Sequence, residues 1–275
     1  DVNKLQLEGL VKAGVFDEID LNRKKLCDSI PKIISTIKSK HEEKTSNQNN
    51  LFDTDSNKEN ESFKFETSEN WTKKELLSEE FSSLGFYISD HPLNEYKDFF
   101  TQLEIESYKN FINNNKSETL VAGTIMSIQE KKSAKGTSFA IIKFSDNNSE
   151  FEIFLFSELL TANREKLKES NSFVLTLQKE KNKTESNQRR INIRKIVDLS
   201  DLVNKTYESV SIELNDKKRL KDLNELLKNT GETKINVVLK ENNKNYLFEL
   251  EKSRKFDFAL FSLIKNKEYV KKISF

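Results

Sequence analysis

The residues with the most chemical potential in this sequence are basic. The stretch "EKKSAKGT" carries Lys131, Lys132 and Lys135, with Gly136 able to turn the backbone. A second stretch, "KEKNKTESNQRR", holds Lys179, Lys181, Lys183, Arg189 and Arg190 against Glu180 and Glu185. Cationic side chains at this density neutralise phosphates without reading bases. Contact of this kind with a nucleic-acid strand is sequence-blind and weakens steeply with salt. The bland alternative is that these lysines only solvate loops. Lys, Asn and Ile are frequent throughout the chain, so lysine content alone is discounted.

Catalytic chemistry finds no foothold. His91 follows Asp90 in "SDHPL", and the other histidine, His41, is distant in sequence. A turn-forming and capping role is expected for it. There is no Ser-His-Asp arrangement, no metal-ligand spacing and no phosphate-cradling glycine loop. "KSAKGTS" resembles a phosphate loop only superficially, because it lies between two strand patterns. The single cysteine, Cys27, rules out an internal disulfide framework and a cysteine-based zinc site, and suits a reducing cytoplasm. No catalytic residue, metal ligand or cofactor site is therefore expected in these residues.

A third candidate is apolar. Gln48, Leu51 and Phe52 form Q-x-x-L-F in a stretch rich in Asn, Ser, Glu and Lys. An apolar pair in a segment too polar to fold is how disordered chains anchor in a partner's pocket. Leu and Phe would fill the pocket and the Gln amide would bond at its rim.

These candidates need elements to hold them. Residues 1–40 read as helical: Leu5, Leu7, Leu10 and Val11 make a stripe that stops at Gly14, and a further helix beginning in "VFDEID" repeats Leu26, Ile30, Ile33, Ile34 and Ile37 at helical spacing. Pro31 is expected to bend or split that helix. Residues 41–70 lose periodicity, are acidic overall and read as a flexible linker. In residues 71–117 a helical connector begins with Thr72 as N-cap and Glu75 completing a capping box. Leu76, Leu77, Phe81 and Leu84 form its core face, and Gly85 ends it. In residues 118–200 the period switches to two, with strands at 120–130, 138–145, 149–156, 172–179 and 189–198. A short helix, "SELLTANREKLKES", capped by Ser157, lies between the third and fourth. Five strands with a helix in that place are the pattern of an OB-fold barrel, which commonly grips single strands through its first and fourth inter-strand loops, here the two basic stretches. Phe154 and Tyr87 could offer stacking platforms, but both are expected in a core. Residues 205–275 run strand, helix, strand, strand, helix, strand, which suggests a ferredoxin-like or related α+β layer. The fold class is thus multi-domain α+β.

Composition agrees with several modest cores joined by solvated segments: 35% of the 275 residues are hydrophobic and 33% charged. The net charge of +1 gives no global field, so nucleic-acid binding must use a local patch. No apolar run approaches the roughly 20 residues of a membrane helix, so no membrane partner is expected. The chain opens at Asp1 without a signal-like segment and reads as the back part of a longer cytoplasmic protein.

The order of these pieces resembles a known family. "LEGLVKAGVFDEIDLNRKKL", "QNNLF", "WTKKELLSEEFSSLGFYISDHPLNEY" and "VAGTIMSIQEKKSAKGTSFAIIKFSDNNSEFEIFLF" are similar to the C-terminal part of the alpha subunit of bacterial replicative DNA polymerases. The specific parts are G-x-Y-x-S-x-H-P-L, from Gly85 to Leu93, and K-G-x-x-x-A-x-x-x-x-x-D, from Lys135 to Asp146. The resemblance implies that residues 1–40 end a helix-hairpin-helix region. It implies that Gln48, Leu51 and Phe52 bind the sliding clamp (beta subunit), that the OB-fold lies near single-stranded template DNA, and that the tail binds the tau subunit of the clamp loader. The parent would be a magnesium-dependent nucleotidyltransferase whose catalytic aspartates lie upstream of Asp1. The alternative is an anticodon-binding domain of a class II aminoacyl-tRNA synthetase or a stand-alone single-strand binder. A purely structural interaction module, touching no nucleic acid, is the third possibility.

Overall fold

The computed structural model describes residues 3–45, 65, 67–180, 191–241 and 244–275. The chain divides into two compact units, Asp1–Pro92 and Leu93–Phe275.

In the first unit, α1 (Lys4–Lys12) opens with a capping box: the Asn3 side chain accepts from Gln6 N–H and the Gln6 side chain accepts from Asn3 N–H. Helix α2 spans Arg23–Thr45. It starts later than the sequence suggests because Asn22, whose Oδ1 accepts from Lys25 N–H at 2.9 Å, satisfies the first turn there. Pro31 lies inside α2 without ending it. An interior proline costs about 3 kcal/mol; Leu26 and Ile30, in the small core with Val11, and Ile34 packed against them, hold the helix on both sides of it. Helix α3 (Lys73–Leu84) has the expected box between Thr72 and Glu75, and Gly85 closes it at φ +78°. That positive φ is the left-handed C-cap at which glycine carries no Cβ penalty.

The second unit begins with short helices α4 (Lys97–Gln102) and α5 (Tyr108–Asn113) and continues into two sheets. The first contains β1 (Glu118–Lys132), β2 (Ser138–Ser145), β3 (Glu150–Phe156), β4 (Ser172–Lys179) and β5 (Ile191–Asp198), in the order β3-β2-β1-β4-β5, all antiparallel. The ends of that order, β3 and β5, approach one another. Helix α6 (Ser157–Asn163) joins β3 to β4; Ser157 is its first helical residue and not its cap, which is Phe156. Inside, Ile142, Phe144, Phe151, Ile153, Phe173 and Leu175 share one core. Gly123 lets that core close: a Cβ there would lie 3.1 Å from Phe144 Cβ.

After α7 (Leu199–Val203) comes the second sheet: β6 (Ser209–Leu214), α8 (Leu220–Leu226), β7 (Thr230–Glu241), β8 (Lys244–Glu249), α9 (Phe258–Lys265) and β9 (Val270–Ser274), in the order β8-β7-β6-β9. The α+β layer is present, but its topology is not ferredoxin-like. Strands β6 and β7 are directly paired and parallel, with no strand inserted between them, so the βαβ unit is unsplit. Gly231 lies in β7, where a Cβ would come within 2.4 Å of the Lys255 backbone nitrogen. The core of this layer includes Val210, Ile212, Ile235 and Phe261, and it also takes in Ala122 and Val174 from the outer face of β1 and β4.

Candidate nucleic-acid interface

Strands β2 and β3 pair with Phe139 opposite Phe156, Ile141 opposite Phe154 and Ile142 opposite Ile153. Strict alternation sends Ile142, Phe144, Phe151, Ile153 and Leu155 inward. It leaves Phe139, Ile141, Phe154 and Phe156 on the outer face. Phe154 is 50% exposed and Phe156 56%, so Phe154 is a surface aromatic and not the core residue expected. Its ring lies 6.2 Å from that of Phe139, tilted by 34°.

The β1–β2 turn stands beside this face. Ser133 N–H donates to Thr137 O and Gly136 N–H to Ser133 O, both at 2.9 Å, and Gly136 has φ +77°. The tight turn holds Lys131, Lys132 and Lys135 exposed. Among the described residues none of the three is in an ion pair, and the neighbouring Glu130 carboxylate is taken by Arg164 at 2.5 Å.

A groove of about 1140 Å³ runs along the aromatic face. Phe139, Phe154 and Phe156 line it, and so do Ser133 and Thr137 at the base of the first basic loop and Ile191 and Asn192 at the base of the second. Residues at the bases of both loops therefore share one groove. Lys181, Lys183, Arg189 and Arg190 lie outside the described residues, as do Gln48, Leu51 and Phe52.

Lys179 is a correction. It is buried, and its Nζ donates to Phe111 O at 2.5 Å and Asn114 O at 2.6 Å, lying 4.4 Å from the Phe111 ring centroid. A six-residue helix leaves its last carbonyls without intrahelical donors; Lys179 supplies them at the end of α5. Tyr87 is half-buried, stacked on Phe81 at 5.1 Å and set edge-on to His91 at 5.4 Å. His91 N–H donates to the Asp90 carboxylate at 2.8 Å, in keeping with a turn role.

Two networks explain why the distinctive motifs are spelled as they are. Asp146 accepts from the N–H groups of Asn148 and Ser149 through one oxygen and from Tyr108 N–H at 2.8 Å through the other. It pins the β2–β3 turn to the start of α5, where Tyr108 stacks on Phe151 at 4.1 Å and burial raises its phenol pKa. In the first unit Arg23, which sequence reasoning missed, grips Asp17 with two nitrogens at 2.8 and 2.7 Å and reaches Lys12 O, Ser89 Oγ and Glu80. Glu80 is fully buried and accepts from the N–H groups of Ile88 and Ser89 and from Ser89 Oγ. Desolvation pushes the Glu80 carboxyl up; the Ser89 hydroxyl, the two N–H groups and Arg23 outweigh it and hold its pKa below the ordinary glutamate value. Gly14, at φ +80°, leaves room for this arrangement, since a Cβ there would fall 2.2 Å from an Arg23 nitrogen. Burial also lifts the Cys27 thiol to about 11, far from a reactive thiolate. Among the described residues no three His, Cys, Asp or Glu side chains gather to hold a metal ion.

The class defined so far is a mixed α+β protein with a five-stranded and a four-stranded sheet, carrying an aromatic groove beside a basic turn. No family model matches the sequence. It is, however, similar to DNA polymerase III subunit alpha of Rickettsia bellii, 37% identical over 161 residues, covering 57% of this chain and 13% of that protein. The subunit from Borreliella burgdorferi is 28% identical over 261 residues, covering 89% of this chain and 22% of that protein. That from Caulobacter vibrioides is 29% identical over 169 residues, covering 60% of this chain and 15% of that protein. The chain is thus similar to part of the DNA polymerase III alpha subunit and spans 13% to 22% of the length of these relatives. No helix among the described residues is long and apolar enough to cross a membrane.

Proposed function

We propose that this chain is the C-terminal, non-catalytic region of a bacterial DNA polymerase III alpha subunit and that it guides single-stranded template DNA during replication. Strands β1 to β5 act as its OB-fold. The order β3-β2-β1-β4-β5, the approach of β3 to β5 and the placement of α6 support that reading. The observation that carries it is the groove on β2 and β3, with three phenylalanines on its wall and an exposed lysine turn at its rim. Aromatic faces stack on bases of any sequence, and lysines track the phosphates.

Residues 1–40 serve as the end of a helix-hairpin-helix region. Gln48, Leu51 and Phe52 dock on the sliding clamp, and the tail, residues 205–275, docks on the tau subunit of the clamp loader. The polymerase centre and its magnesium belong to the parent protein, outside these residues, in the cytoplasm.

The test is fluorescence anisotropy of the 275-residue chain with labelled oligo-dT over a salt series. Affinity should fall log-linearly, by about 0.7 per phosphate neutralised. Absence of binding at low salt sinks the template role. For the clamp, a peptide of residues 46–55 should bind in the micromolar range, and Phe52→Ala should abolish that binding; a mutant that binds undiminished removes the motif.

A further inference from the structure

The groove has a second wall that the basic loops and strands do not account for. It is formed by Ile112, Asn113, Asn114 and Asn115, where α5 runs out toward β1. Asn113 and Asn115 are exposed, while the Asn114 side chain is occupied, donating to Glu106 at 2.8 Å and accepting from Lys116 N–H at 3.0 Å. The wall stays in place through Lys179, whose Nζ also reaches Ile112 O at 3.3 Å. One buried ammonium therefore ties two carbonyls of this wall, and that of the preceding Phe111, to the end of β4.

Resting on the single-strand reading above, we infer that Asn113 and Asn115 form a hydrogen-bonding lip for the edges of an unstacked base, with Lys179 as the residue that positions it. The chemistry favours a base over a phosphate. A side-chain amide offers both a donor and an acceptor, matching base edges, and carries no charge to attract phosphate. The charged groups of the described groove are Glu152, which repels phosphate, and Lys179, whose protons are already given to carbonyls. A base laid against the aromatic wall presents its edge outward, toward groups of this kind.

The test compares two probes of equal length, oligo-dT and an abasic oligonucleotide, by anisotropy over a salt series with the whole chain. The double variant N113A/N115A should bind oligo-dT about tenfold more weakly, as loss of one or two net hydrogen bonds predicts, and bind the abasic strand as the wild type does. K179M should show the same base-dependent loss with an unchanged salt slope. A K179M slope reduced by about 0.7 would instead make Lys179 a phosphate ligand and overturn the positioning role. If K179M does not fold, the double variant, whose residues are exposed, decides alone. Oligo-dT binding left intact by it removes the lip while sparing the groove, whereas a wild type that binds neither probe removes both.

Discussion

The outer surface of the five-stranded sheet is treated in opposite ways over its two halves. Over β1 and β4, Ala122 and Val174 face outward and are buried beneath the C-terminal layer, at 5% exposure each. Over β2 and β3, Phe139, Ile141, Phe154 and Phe156 face outward; Phe139 and Ile141 are half-buried, and Phe154 and Phe156 are exposed. Both halves are apolar outside, so the sequence cost of leaving one open has been accepted by the fold. Scattered exposed apolar residues need no explanation, but a contiguous aromatic row beside an exposed lysine turn is the surface proposed to bind. The first half holds the molecule together and the second is available to a ligand.

The largest effect that could break this contrast is on stability. Val174→Asp should destabilise the second unit by about 3–5 kcal/mol, because it leaves an unpaired charge in a dry core; thermal unfolding reads it directly. A melting temperature within a degree or two of wild type would mean that the covered half is not a true core. Next comes Phe154→Ala, expected to weaken oligo-dT binding about tenfold, the middle of the range for one base–aromatic stack, with the unfolding curve nearly unmoved. Replacing Lys131, Lys132 and Lys135 together by Ala should lower the slope of log affinity against log salt by about 2; an unchanged slope would place the phosphate contacts elsewhere. The smallest effect sharpens the contrast. Ile141→Asp, on the open half, should cost under about 1 kcal/mol, although it introduces the same charge as the Val174 change.

Period-two alternation is a strong signal, and the five strands fall within two residues of where the sequence places them, as do the Thr72–Glu75 box and the Gly85 stop. What the sequence hides is which face meets water. "EFEIFLF" puts Phe on both sides of β3, so alternation alone could not say that Phe154 lies outside. That depends on the C-terminal layer covering β1 and β4 but not β2 and β3. Lys179 misleads for a related reason. A lysine at the start of a basic run looks like part of the loop, yet it still pairs in β4 and finds orphan carbonyls 65 to 68 residues earlier. Arg23 and Glu80, 57 residues apart, show the same limit: each reads as an ordinary charged helix residue until the fold brings them together. Pro31 does not split α2, because Leu26, Ile30 and Ile34 pack on both sides of it. The parallel pairing of β6 with β7 was open because a strand, helix, strand, strand, helix, strand order fits more than one sheet order.

The central claim is that the open half of the sheet, and not any other exposed apolar surface, receives single-stranded DNA. Hydroxyl-radical footprinting of the 275-residue chain with and without oligo-dT tests it side chain by side chain. Protection should fall on Phe139, Phe154 and Phe156, leaving the exposed Leu247 and Phe248 of β8 oxidised at their free rates. Protection of Leu247 and Phe248 with unchanged oxidation of Phe154 and Phe156 would contradict it.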